Sequence, residues 1–100
     1  VANTAPQLVV MKRQIKVNDD KTATINGYVN NSFIPITGVQ YKVDDGDWMG
    51  AASVDGIYNS ASEYFTIQTK ALKAGKHKVE IKAIDAAGNQ VSTSVEVEVK

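Results

Sequence analysis

The sequence has no cysteine among its 100 residues. That excludes disulfides and thiolate metal sites. It leaves export open, because a domain of this length can be held by its core alone. Excess charge of either sign is missing too: 11 basic residues balance 11 acidic ones. A neutral domain has no electrostatic footprint for nucleic acid or for an anionic membrane surface. No apolar run approaches the roughly 20 residues of a membrane span, and no signal-peptide pattern is present. There is one histidine, His77. A histidine-rich metal site is therefore excluded, and a Ser-His-Asp or Cys-His arrangement would depend on this single base. It sits between Lys76 and Lys78 at a strand start, which reads as a structural position.

What is present is ordinary globular composition, 43% hydrophobic and 22% charged, enough for one domain with a real core. Val1 to Pro6 reads as a linker, and 7–100 as a single domain. A chain opening Val-Ala-Asn-Thr reads as a piece of a longer protein. From Leu8 onward the hydrophobic period is two, the period of strands. Leu8–Val17 changes parity midway, which predicts a bulge or a switch between sheets. Asn18–Lys21 is a turn. Thr22–Asn30 places Ala23, Ile25, Gly27 and Val29 inward and Thr24, Asn26 and Tyr28 outward. Phe33 and Ile34 are expected to plug the following loop. Glu63–Lys70 turns Phe65, Ile67 and Thr69 inward, and His77–Asp85 does the same with Val79, Ile81 and Ala83. Gln90–Lys100 alternates most cleanly, Val91, Thr93, Val95, Val97 and Val99 against Ser92, Ser94, Glu96, Glu98 and Lys100. Half-polar strands of this kind belong to antiparallel sheets with one wet face each. About seven short strands, with turn signals roughly every 8–12 residues and no helix pattern, predict an all-β antiparallel sandwich.

The centre of the pattern is Gly38–Trp48, GVQYKVDDGDW. Asp45-Gly46 suits a two-residue type I′ turn, with φ > 0 at both positions. Asp44 then lies opposite Asp47, and Val43 opposite Trp48. This register puts Val39, Tyr41, Val43 and Trp48 on the core face and Gln40, Lys42, Asp44 and Asp47 in solvent.

From here the second half follows a recognisable succession. The hairpin Val39–Trp48 is followed by Asp55-Gly-Ile-Tyr-Asn-Ser60, Glu63-Tyr-Phe65, Leu72-Lys-Ala-Gly-Lys-His77 and Ala83-Ile-Asp-Ala-Ala-Gly-Asn89. This resembles the immunoglobulin-like and fibronectin type III-like modules of bacterial multi-modular surface and secreted proteins. The resemblance covers roughly residues 5–100 and is most specific over 39–89. It implies an immunoglobulin-like (fibronectin type III-like) sandwich and an extracellular location, secreted or attached to the cell surface. It also implies neighbours in the same polypeptide, among them polysaccharide-degrading enzymes such as glycoside hydrolases. The Cys…Trp…Cys pattern of antibody domains is missing.

Candidate sites are few. Asp44, Asp45 and Asp47 crowd the hairpin tip, where Ca²⁺ would relieve their repulsion. Exposed turns also carry Asp simply to cap backbone. Asp85 and Asn89 bracket a turn in which Asp85 accepts backbone N–H groups and Gly88 supplies φ > 0. Tyr58 and Tyr64, as outward aromatics, are the candidates for stacking on sugar rings. No pair of carboxylates suggests a glycosidase cleft. The expectation is a non-catalytic accessory module without a cofactor, acting as spacer, stabiliser or interdomain docking unit. The alternative is a module that binds carbohydrate or a surface protein.

Overall fold

A computed structural model describes residues 6–30, 34–54, 56 and 62–100. Among these residues, nine strand segments form two antiparallel sheets. The first sheet contains β1 (Gln7–Val10), β2 (Lys16–Val17), β3 (Ala23–Asn30), β6 (Ala52–Ser53) and β7 (Ser62–Gln68). Its order is β1-β3-β7-β6, with β2 also pairing β3. The second contains β4 (Ile36–Val43), β5 (Met49–Gly50), β8 (Gly75–Asp85) and β9 (Gln90–Val99), in the order β5-β4-β8-β9. The all-β sandwich of the sequence reading is therefore the fold.

The period-two pattern decides which side chains meet between the sheets. Ala23, Ile25 and Val29 from β3, Phe65 and Ile67 from β7, Val79, Ile81 and Ala83 from β8 and Val95, Val97 and Val99 from β9 are all buried. These are the inward residues that alternation predicts. Gly27 is buried with them, and a Cβ there would overlap the Val9 carbonyl and the Phe65 ring. The glycine thus sets how closely β1 and Phe65 approach β3. Thr69 is buried as expected; its hydroxyl accepts the Ala23 N–H at 2.9 Å and donates to the Lys70 carbonyl at 2.8 Å. The Tyr41 hydroxyl crosses from the second sheet to donate to the Gln68 carbonyl of the first, at 3.2 Å.

Three expectations are corrected. The parity change after Val10 is a 3-10 turn over Lys12–Gln14, neither a bulge nor a sheet switch, since β1 and β2 both pair β3. The stretch after Gly50, where poor patterning and the pairs Asp55-Gly56 and Asn59-Ser60 suggest a loop across one end of the domain, is more ordered at its start: Ala51 is buried where the chain crosses, and β6 pairs β7. The hairpin register differs by one residue. Tyr41 pairs with Met49 and Gln40 with Gly50, so the ladder brings Lys42 opposite Trp48 and leaves a three-residue loop, Asp44–Gly46. Trp48 therefore lies on the outer face, 36% exposed, and not in the core. The positive φ sits on Asp44, at 52°, while Gly46 has none.

The reason for this register is the hold of β8 on Asp44. Its N–H donates to the Lys78 carbonyl at 2.7 Å, and its Oδ1 accepts the Lys78 N–H at 3.0 Å. These bonds, with a third to His77, extend the β4–β8 ladder one residue beyond Val43 and outweigh the two-residue turn. Val1–Ala5 of the expected linker, Phe33 of the expected plug and Tyr58 lie outside the described residues. Pro6 is buried, and Ile34 half-buried.

The chain runs from pole to pole. Gln7 pairs with Asn30, which also pairs with Ser62, and the 86–89 turn lies at the same end, Ala86 bonding Pro35. At the other end Lys100 accepts a hydrogen bond from Lys21 at 2.9 Å, and Leu72 bonds to Lys21.

Candidate functional site

The hairpin tip does not converge on a cation. Among the described residues, no group of three or more His, Cys, Asp or Glu is placed to hold a metal ion. The Asp44 carboxylate faces β8, where its Oδ2 lies 2.8 Å from His77 Nδ1. His77 Nε2 lies 2.7 Å from the Lys73 carbonyl. Both partners are acceptors, so the arrangement is complete only when both ring nitrogens donate, that is, in the imidazolium. The hydrogen bond to Asp44, then that to Lys73, raises the His77 pKa above its ordinary 6.5. The same bond to His77, followed by the Lys78 N–H, holds Asp44 below 3.8. With both nitrogens engaged, His77 clasps the hairpin to β8 and has no lone pair to serve as a base.

Asp85 closes the opposite pole as expected. Its Oδ1 accepts the Ala87 and Asn89 N–H groups, each at 2.9 Å, and its Oδ2 accepts Asn89 Nδ2 at 3.1 Å. Gly88 supplies φ = 86°. This is a turn held by its own side chain. A small apolar recess of about 130 Å³ lies between the sheets near the hairpin, lined by Tyr41, Val43, Met49 and Leu72 among others.

The outer faces of the two sheets differ in chemistry. On the second sheet, Lys42, Lys76, Lys78, Glu80, Lys82, Glu96 and Glu98 point outward. Trp48 lies among them, with Lys42 Nζ 5.1 Å and Lys82 Nζ 4.3 Å from its ring centroid. Alternation assigned the tryptophan to the core because it could not see the loop length. On the first sheet, Tyr28 of β3 pairs directly with Tyr64 of β7, ring centroids 5.7 Å apart and planes tilted by 51°. Val9 lies opposite Tyr28 on β1. Val54 lies beside Tyr64, donating its N–H to the Tyr64 carbonyl at 3.0 Å. Alternation placed Tyr28 and Tyr64 outward; that they are cross-strand neighbours depends on a register the sequence does not print.

No family model matches the sequence, and no curated protein sequence matches it. Among solved structures, the PKD1 domain of Vibrio anguillarum Epp superposes with a TM-score of 0.68 at 14% identity, covering 99% of this chain and 98% of that one. The fold is immunoglobulin-like. The sulfane dehydrogenase SoxCD of Paracoccus pantotrophus matches with a TM-score of 0.61 at 16% identity. That match covers 86% of this chain but 23% of the other. In that protein the matching immunoglobulin-like sandwich is thus a fraction of a larger chain.

Proposed function

We propose that this immunoglobulin-like module is a non-catalytic accessory unit of a larger extracellular bacterial protein, one that spaces and orients neighbouring domains. The observation that carries the reading is the course of the chain, from Gln7 at one pole to Lys100 at the other. Between the poles lies a single core, with Tyr41 tying sheet to sheet. A strand the length of β9, ten residues, spans about 33 Å at roughly 3.3 Å per residue. A segment joined at each end to other domains would hold them at that separation. The likeness to the PKD1 domain of Epp, one domain of a bacterial protein, supports the modular context, and the larger SoxCD chain shows the fold serving as one part of a bigger protein. Polysaccharide-degrading enzymes remain the expected neighbours. Interdomain contacts of such modules are modest and polar, which the charged outer face of the second sheet suits.

The absence of cysteine makes the test clean. Gln7→Cys and Lys100→Cys, both exposed positions, accept a pair of spin labels. The expected result is one narrow distance distribution, near or above about 30 Å by the strand length, unchanged in 1 M salt. A broad or short distribution would remove the spacer reading. A second reading, a binding module, is favoured by the tyrosine pair of the first sheet.

A further inference from the structure

We infer that the outer face of the first sheet is a binding platform for a neutral polysaccharide, centred on Tyr28 and Tyr64. This adds to the spacer reading and does not depend on it. The residues form a row: Val9 on β1, Tyr28 on β3, Tyr64 on β7 and Val54 just beyond β6. Three inter-strand steps of about 4.8 Å make this row about 14 Å long. Tyr64 is 56% exposed and Val54 66%. Large apolar side chains at such exposure, aligned on one face, mark an interaction surface more often than scattered ones do.

The flanks of the row decide which partner it suits. Outward along β3 stand Thr24, Asn26 and Asn30; along β7 stand Ser62, Thr66 and Gln68. Each is an uncharged hydroxyl or amide. Among the described residues on the outer side of this sheet, charge enters only at one edge, at Lys16 in β2 and at Lys12 and Arg13 in the 3-10 turn; Glu63 of β7 pairs with Val29 on the inward side and is buried. The other outward-pointing strand charges lie on the opposite sheet. A protein partner recognised through ion pairs finds nothing to pair with in the centre of this face, and an anionic glycan finds no cationic bed there. A neutral sugar chain needs neither. The C–H faces of its rings pack on aromatic rings, and its hydroxyls exchange hydrogen bonds with amides and hydroxyls. A few polar groups placed around apolar lining is the usual composition of a ligand site. Tyrosine serves both needs, with an apolar body and a polar tip. The 51° tilt between the rings means that they are not coplanar, which fits a curved or twisted chain better than a flat crystalline surface.

The test is affinity electrophoresis of the whole chain through gels containing hydroxyethyl cellulose, galactomannan, xyloglucan or polygalacturonate. The expected result is retardation by at least one neutral polymer and none by polygalacturonate. Tyr64→Ala should weaken the retardation tenfold or more, and Tyr64→Phe should keep most of it. Val54→Lys, which places a charge on a highly exposed position, should weaken it without touching either ring. Lys82→Glu, on the opposite sheet, should leave it unchanged. No retardation by any neutral polymer would overturn the proposal. So would retardation that survives Tyr64→Ala, or that Lys82→Glu abolishes. Size-exclusion chromatography showing a dimer dispersed by Tyr64→Ala would also overturn it, in favour of a second copy of this chain on the face. The distance between residues 7 and 100 and the glycan titration read different parts of the molecule, so either can fail alone.

Discussion

Trp48 lies beneath two ammonium groups, and its energetics follow from that position. The contacts with Lys42 and Lys82 lie on the outer face, with Trp48 exposed and both lysines half-buried, and at a surface site a cation–π pair contributes about 0.5–1 kcal/mol. Trp48→Ala, which removes both, should therefore cost about 1–2 kcal/mol in a urea melt. A loss of about 3–5 kcal/mol, the cost of truncating a core aromatic, would mean that the indole is buried after all. His77 gives a second expectation at this scale. Its pKa is raised above 6.5 in the fold, so between 6.5 and the raised value the folded chain holds more protons than the unfolded one. Stability from the clasp is then complete below pH 6.5 and declines as pH rises through the folded value. Asp44, held below 3.8, gives the opposite slope at the acid end: its share is present above 3.8 and lost as pH falls through the lowered value. The clasp is thus strongest between about pH 4 and 6.5. Thermal melts from pH 5 to 9 should show this alkaline decline in the natural chain and lose it in His77→Gln. Equal pH profiles would show that the imidazolium bonds do not contribute. The sequence placed His77 at a structural position, but not its partners, because Asp44 and Lys73 reach it only through the fold.

At the scale of the element, the strands were legible and their endpoints were not always so. β3, β7 and β8 bury the side chains that period-two alternation assigns to them, and β9 does so for Val95, Val97 and Val99 while Val91 and Thr93 at its start are half-buried. The physical reason is that each is long enough, seven residues or more, for the pattern to outvote local exceptions. The Asp44–Gly46 loop is short, and there one residue decides everything. A two-residue turn puts Trp48 inside and a three-residue loop puts it outside. Turn propensity favoured the first; the bonds from Asp44 to Lys78 and His77 in β8 decided for the second. Gly27 shows the same dependence on a distant strand. Gly27→Ala should destabilise the domain by about 1–3 kcal/mol, as overpacking does, because the added methyl meets the backbone of Val9 and the ring of Phe65. An unchanged urea midpoint would show that β1 does not pack on β3 as closely as the structure has it. Within the sequence, Gly27 reads only as one small residue in an inward row.

The whole molecule has two features that no single strand contains. The first is the pole-to-pole course of the chain, a consequence of β1 beginning beside the end of β3 and β9 ending beside the turn before it. The second is the division of labour between the outer faces, one charged throughout and one uncharged at its centre, where the tyrosine pair lies. Composition averages these into a net charge of zero, so the asymmetry disappears from any count. The candidate residues divide in the same way. Tyr64 was identified as an outward aromatic, and its partnership with Tyr28 came from the register of β3 on β7. Asp44, Asp45 and Asp47 looked like a cluster along the chain, but Asp44 turns to His77 in space. The sequence by itself determined the fold class, the inward rows and the self-contained Asp85 turn, because those depend on side-chain period and local hydrogen bonding. Only the tertiary structure decided the hairpin register, the partners of His77 and the row across the first sheet. Each of these depends on which strand lies beside which, and that is fixed by long-range pairing, not by neighbours in the chain.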